Sequence, residues 1–263
     1  MFIDSHCHLP HGKYNKTTKD IIQEAKDAGV EKLIVVGTSI KTNEEVIKIA
    51  ETFDNVYAAV GIFPNDERDK DIDTLLEKLE KQASSSTKVV GIGECGLDIT
   101  KWTNQRPVNN QIELFEKQVK LGIKLGLPIA FHNRNGDKQI LEIIKKYQGT
   151  TLTGVAHCFV SDWTMAEKLI SMGFMISFTG IITYKSGSNL VETVRKVPLD
   201  KFLLETDSPY LPPQDKNGKR NAVNEPKYVK MTAEKVAEIK NLPLHIIEEN
   251  AYKNTCSLFL TKK

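Results

Sequence analysis

The sequence lacks any apolar stretch near the ~18 residues that a membrane-spanning helix needs. Its uncharged run over 149–161 falls well short, so no membrane-spanning helix is expected. Asp4, His6 and His8 interrupt the start of the chain before an apolar segment develops, so no secretory signal is expected and the expected location is cytoplasmic. Cysteine is scarce. Cys7, Cys95, Cys158 and Cys256 lie far apart with no C-x-x-C pair, which argues against a zinc finger or a disulfide framework and leaves reduced thiols as the expectation. An excess of one charge is also missing: 36 Lys plus Arg stand against 34 Asp plus Glu, a net of +2. No global field is available to hold a polyanion, so such a ligand would need a local patch or a metal. Neither G-x-G-x-x-G nor G-x-x-x-x-G-K occurs, and no internal repeat or low-complexity tract is visible.

What is present is a chain of 263 residues, 40% apolar and 27% charged, enough to bury a large core. Closed α/β barrels commonly need about 250 residues for one domain, and a single domain over 1–263 is expected. Short β-rich runs recur at 2–4, 32–36, 56–60, 89–92, 128–132, 153–157, 174–178 and 201–204. Most are nearly continuous apolar runs, as in strands covered on both faces of a parallel sheet. Helical stripes lie between them: Ile72, Leu75, Leu76 and Leu79 in one, Ile112, Phe115 and Val119 in another. Gly29, Gly126 and Gly173 fall where helices should end. Eight strand-then-helix units predict an α/β fold of the (β/α)8 TIM-barrel type, with an extra C-terminal helix over 244–260. The proline-rich stretch 208–226 is the longest loop and should lie over the barrel mouth.

The histidines and several acids fall at the ends of these strands. His6 and His8, two apart on an extended segment, point the same way. His132 ends the fifth strand, His157 ends the sixth, Glu94 follows the fourth and Asp207 follows the eighth. Any one of them alone would ordinarily be a core or surface residue. Strand C-termini converge on one face of a barrel, however, and six metal-type side chains brought there are too many for one tetrahedral zinc. Their nitrogen and oxygen donors suit two divalent ions of Zn, Mn, Mg, Ni or Co without choosing among them. Two-metal sites favour hydrolysis of a phosphate ester or acyl bond. His11 lies in a loop and His245 in the tail helix, and neither is counted with the site.

Cys7, Cys95 and Cys158 neighbour these residues but read as packing residues, since no base is placed beside them. Arg134 leaves the fifth strand toward the mouth and is a candidate for holding a substrate phosphate, with Asn133 beside it. The opposing reading is that Arg134 pairs with Glu205 or Asp137 and only supports the fold. Lys216, Lys219 and Arg220 form a candidate phosphate-binding loop or a merely solvated one.

Five stretches carry a resemblance: Asp4-Ser5-His6-Cys7-His8-Leu9; Val90 to Asp98 (VGIGECGLD); Phe131-His132-Asn133-Arg134; His157-Cys158-Phe159; and Leu204 to Leu211 (LETDSPYL). Together they resemble the TatD-family metal-dependent deoxyribonucleases among the amidohydrolase-type barrels, over essentially the whole chain. The resemblance implies that His6, His8 and Asp207 hold one metal, that His132 and His157 hold the other, and that Glu94 bridges them. It also implies hydrolysis of nucleic-acid phosphodiesters, typically as a 3′-to-5′ exonuclease on DNA, with Asp207 taking a proton from water. No membrane and no obligatory protein partner are implied. Two departures stand out. The family's usual G-x-H-P reads Gly61-Ile62-Phe63-Pro64 here, and its R-N-E-P reads Arg220-Asn221-Ala222-Val223-Asn224-Glu225-Pro226. Hydrolysis of D-aminoacyl-tRNA esters on the same metal site remains an alternative, as does a non-catalytic nucleic-acid scaffold. A cyclic-amide hydrolase, which would bridge its metals with a carboxylated lysine, is disfavoured by Glu94.

Overall fold

The computed structural model describes residues 1–101, 105–215 and 217–261. Eight strands, β1 (Phe2–Cys7), β2 (Val30–Val36), β3 (Val56–Val60), β4 (Val89–Asp98), β5 (Ile129–Arg134), β6 (Gly154–Ala156), β7 (Phe174–Phe178) and β8 (Phe202–Leu204), form one sheet in sequence order. Each is parallel to the next. Around them run α1 (Thr18–Asp27), α2 (Ile40–Thr52), α3 (Ile72–Ala83), α4 (Val108–Leu125), α5 (Asp137–Lys146), α6 (Trp163–Ser171), α7 (Leu190–Lys196) and α8 (Val229–Lys240). The extra C-terminal helix is α9 (Leu244–Thr255), which continues into a π-helical turn at Cys256–Leu260. The chain is thus a nearly closed (β/α)8 barrel.

Strand alternation sorts the apolar residues into two layers. Leu33 and Val35 face the helices, while Ile34, Val36, Ala59, Val90, Ala130, Val155 and Leu203 pack together inside the barrel with Phe259 from the tail. Burying that phenylalanine stabilises the barrel by about 1.5–3 kcal/mol. β1 and β8 meet through hydrogen bonds that also place functional residues: Asp207 N–H donates to His6 C=O (2.9 Å) and His8 N–H to Ser208 C=O (2.8 Å). The buried Asp4 carboxylate accepts from the Thr206 N–H at 2.9 Å and its hydroxyl at 2.5 Å. Burial pushes the Asp4 carboxyl up to about 8, while the bonds from Thr206 and His6 pull it the other way.

The strand boundaries differ from the sequence reading at their C-terminal ends. β1 and β4 run on to Cys7 and Asp98, past the expected 2–4 and 89–92, so Glu94 lies inside β4. β6 stops at Ala156 and leaves His157 just beyond it. Gly29 and Gly173 have φ of 87° and 90°, and Gly126 caps α4 at φ 66°, the left-handed conformation that a helix stop requires.

Candidate metal centre

Glycines on β4 allow Glu94 to stand beside β5. Gly96 has φ 119°, and a Cβ there would lie 2.0 Å from the His132 carbonyl oxygen, so only glycine lets the two strands approach this closely. At the same mouth Asp207 takes φ 54°, a strained left-handed conformation for a residue with a side chain. His8 is oriented by Val36, whose carbonyl lies 3.1 Å from Nδ1. A carbonyl can only accept, so Nδ1 carries a proton and Nε2, which faces the site, is the nitrogen that can bind a metal once it is deprotonated.

All six expected side chains converge. Glu94 is shared between two histidine pairs: its Oε1 lies 3.1 Å from His157 Nε2 and 3.3 Å from His132 Nδ1, while its Oε2 lies 3.6 Å from both His6 Nε2 and His8 Nε2. Asp207 Oδ1 lies 3.3 Å from His8 Nε2 and 3.8 Å from His6 Nε2. The His6 and His157 rings stack at 4.0 Å. Among the described residues three compact donor sets result, His6–His8–Asp207, Glu94–His132–His157 and His6–His157–Glu205, each with ligand atoms within 4.8 Å of one another. Buried His6 Nδ1 and Nε2, His132 Nε2 and His157 Nδ1 have no hydrogen-bond partner. Of these, His6 Nε2 faces Glu94 and Asp207, whereas His132 Nε2 and His157 Nδ1 face Asp98 and Glu205 behind the cluster; the imidazole nitrogens and carboxylate oxygens turned toward one another fit divalent ions.

The family model described as TatD related DNase matches residues 3–260. The chain belongs to that family. It is 36% identical to the uncharacterized metal-dependent hydrolase YabD of Bacillus subtilis (strain 168), over 98% of this chain and 99% of the relative. It is 33% identical to YcfH of Escherichia coli (strain K12), another protein named a metal-dependent hydrolase, over 98% and 96%. The crystal structure of YjjV, a TatD homolog from Escherichia coli K12, superposes with a TM-score of 0.89 at 30% identity, covering 99% of this chain and 98% of that one. This TatD-family chain is accordingly of metal-dependent hydrolase type, and among its described residues no helix is long and apolar enough to cross a membrane.

Two acids behind the histidines escaped the sequence reading as site residues. Glu205, fully buried, accepts the Cys158 N–H at 2.6 Å and lies 3.5 Å from His157 Nδ1. Asp98 lies 3.7 Å from His132 Nε2. The available signal was their position, Glu205 two residues before Asp207 and Asp98 four after Glu94. Carboxylates behind histidine ligands fix ring orientation and basicity, so Glu205→Gln is expected to weaken divalent-ion affinity about 10–100-fold. Isothermal titration with Mn or Zn checks this, and unchanged affinity would reduce Glu205 to packing.

In this TatD-family chain the metal-free site is a network of ions. Burial opposes charge on His157, but Glu94 and Glu205 outweigh it and hold the imidazole well above its ordinary value; the same balance raises His8 beside Asp207 and His132 beside Asp98 and Glu94. Burial works against ionised Glu94 and Asp207 too, yet the surrounding histidines hold both below the ordinary carboxylate range. His6 moves down through burial and the neighbouring His157. Metal uptake must therefore release protons. The raised histidines stabilise the metal-free fold fully below their unfolded value of 6.5 and lose that contribution as pH rises through their folded values. The lowered carboxylates stabilise it above 4.5 and 3.8 and lose it as pH falls through their folded values. Chelator-treated protein should thus melt progressively earlier as pH rises above 6.5, while metal-loaded protein holds its Tm. Parallel melting curves at every pH would contradict this.

The other sequence candidates are dispersed. Asn133 and Arg134 line a cavity of about 620 Å³ together with His8, Glu94, His132, His157 and Asp207. Arg134 pairs with Asp98 at 3.5 Å, a partner that neither opposing reading named. Asp137 accepts from the Asn133 amide at 2.5 Å. Lys219 and Arg220 lie outside the cavity lining, on a loop where Gln214 bridges Arg220, with the Arg220 guanidinium 4.8 Å over the Tyr184 ring. Lys216 lies outside the described residues. The Cys7 and Cys95 thiols each donate to a carbonyl 3.6 Å away, of Ile34 and Ala130 respectively, and burial pushes both thiols up, as inert packing residues require.

Proposed function

We propose that this TatD-family chain hydrolyses nucleic-acid phosphodiesters, DNA foremost, as a 3′-to-5′ exonuclease. The observation that carries this reading is the division of the Glu94 oxygens between His132/His157 and His6/His8. In that arrangement His6, His8 and Asp207 would hold one divalent ion, His132 and His157 the other, and Glu94 both. Such ions, when bound, polarise a phosphoryl oxygen and make water acidic enough to attack near neutral pH. Asp207, held ionised at the open side of the cluster, accepts the proton of the attacking water. Arg134, about half exposed at the mouth, binds a phosphate beside the reacting one, and Asn133 orients that edge. Lys219 and Arg220 contact phosphates farther along the chain.

Single- and double-stranded DNA and RNA oligonucleotides, incubated with each divalent ion in turn, test the reading. Metal-dependent release of mononucleotides from a 3′ end is expected. Hydrolysis of aminoacyl esters without any oligonucleotide cleavage would replace it. Arg134→Ala should raise KM for oligonucleotides more than it lowers kcat, through loss of a charge-assisted bond worth about 1.5–3 kcal/mol, and should flatten the salt dependence of DNA binding. An early-melting Arg134→Ala protein with normal KM and salt slope would make the arginine purely structural.

A further inference from the structure

The cavity is larger than a phosphodiester needs and lies within the about 300–1,000 Å³ of sites that enclose a small molecule. Its two halves differ in chemistry. The part built from β4–β8 carries Glu94, His132, Arg134, His157 and Asp207 together with the apolar Val160, Ile181 and Leu211, whereas the part built from the first three strand–helix units is an arm that is mostly apolar away from His8 and His11. Leu9, Pro10, Val36, Val46 and Phe63 form that arm, with Thr38 and Thr42 at its edge. Its acidic side chains, among the described residues, are Glu45 and Asp66.

Phe63 is the aromatic face of the arm and stands edge-on to His132 at 5.1 Å between ring centroids, directly beside the metal-type cluster. The loop that carries it is pinned at every step. Gln118 exchanges hydrogen bonds with both backbone groups of Ile62, at 2.8 and 3.0 Å. Phe63 N–H donates to Thr38 C=O at 2.8 Å. The buried Arg106 guanidinium donates to the carbonyls of Pro64 (3.0 Å) and Asp66 (2.9 Å). A ring held this way loses little freedom when a planar group stacks on it.

Resting on the phosphodiesterase reading above, we propose that this arm is a subsite for the terminal nucleobase of a nucleic-acid strand, with Phe63 as its stacking face. Acidic Glu45 and Asp66 repel a further phosphate, so the arm admits a chain end and does not let a strand pass through. A base seated on Phe63 leaves its own phosphodiester toward the cluster, and the rest of the strand leaves past Arg134. Hydrolysis there adds water across the P–O bond and yields one phosphomonoester and one alcohol, freeing the terminal residue.

Two measurements test the subsite. Oligodeoxynucleotides with 2-aminopurine at either end or at the centre are titrated with chelator-treated protein, and the fluorescence is followed. Quenching should occur at one terminus only, should vanish in Phe63→Leu and should persist in Phe63→Tyr. With Mn²⁺ present, Phe63→Leu should lower kcat/KM on a base-ended strand about ten- to a hundredfold while leaving a strand with an abasic terminal residue within about twofold. Asp66→Asn should speed cleavage of a strand carrying a phosphate at the bound end, and circular single strands should resist the wild-type enzyme. Equal quenching at the centre, equal slowing of abasic and base-ended strands, or circles cut as fast as linear strands would each overturn the proposal. If no strand is hydrolysed with any ion while terminal quenching still depends on Phe63, the phosphodiesterase reading fails and the base subsite stands. Hydrolysis with quenching indifferent to Phe63 gives the converse.

Discussion

Glu94→Gln is expected to lower turnover by at least about a hundredfold and to cost the protein one or both bound ions, with little change in its fold. Glutamine preserves the shape of the side chain but leaves one acceptor oxygen where two are needed. Either the His132/His157 side or the His6/His8 side must then face an N–H₂ group, which repels a cation. The wild-type carboxylate reaches both pairs at 3.1–3.6 Å, so no rotation of the amide serves both. Metal content of the purified variant, measured beside its rate, separates this account from a purely structural one. Two ions per chain with a normal rate in Glu94→Gln would end the bridging assignment. The fold is expected to survive because the inner layer of Ile34, Ala59, Val90, Ala130, Val155, Leu203 and Phe259 closes the barrel below the site without help from Glu94.

The eight-unit architecture was legible because strands buried on both faces, such as 56–60 and 174–178, are nearly continuous apolar runs, and glycines such as Gly173 end the helix before the next strand. What the pattern missed are the strand ends. Ser5 to Cys7 lie beyond the expected strand 2–4 and Gly93 to Asp98 beyond 89–92, yet both segments belong to strands, with Cys7 opposite Val35, Gly96 opposite His132 and Asp98 opposite Arg134. Polar residues occupy these positions because the site needs them, and local preference yields where chemistry is installed. The six converging side chains could be placed from topology alone, since a barrel brings its strand termini to one face. Glu205, Asp98 and Asp4 could not. Each acts through another side chain, His157, His132 or Thr206, and such pairings depend on distances that spacing along the chain does not encode. Phe63 was visible only as a departure from a family pattern; its role as a cavity wall emerges from the loop that Gln118 and Arg106 clamp.

Asp207→Asn is the sharper test of the chemistry, because asparagine tolerates the left-handed backbone at φ 54° as well as aspartate does, so the backbone can stay in place. Asparagine keeps an oxygen near His8 Nε2, where the aspartate oxygen lies at 3.3 Å, so metal content should fall less than in Glu94→Gln. The amide has no basic site for the proton of the attacking water. Turnover is therefore expected to drop by about two orders of magnitude or more with KM little changed, the signature of an interaction made mainly in the transition state. The pH dependence adds an independent readout. A base must be ionised to take the proton of water, so protonation of Asp207 contributes to the acid limb of the rate profile. That limb should flatten in Asp207→Asn wherever the remaining rate permits measurement. A variant that retains metal, cleaves at a near-normal rate and keeps the wild-type acid limb would show that the proton goes elsewhere, and Asp207 would then act only as a ligand.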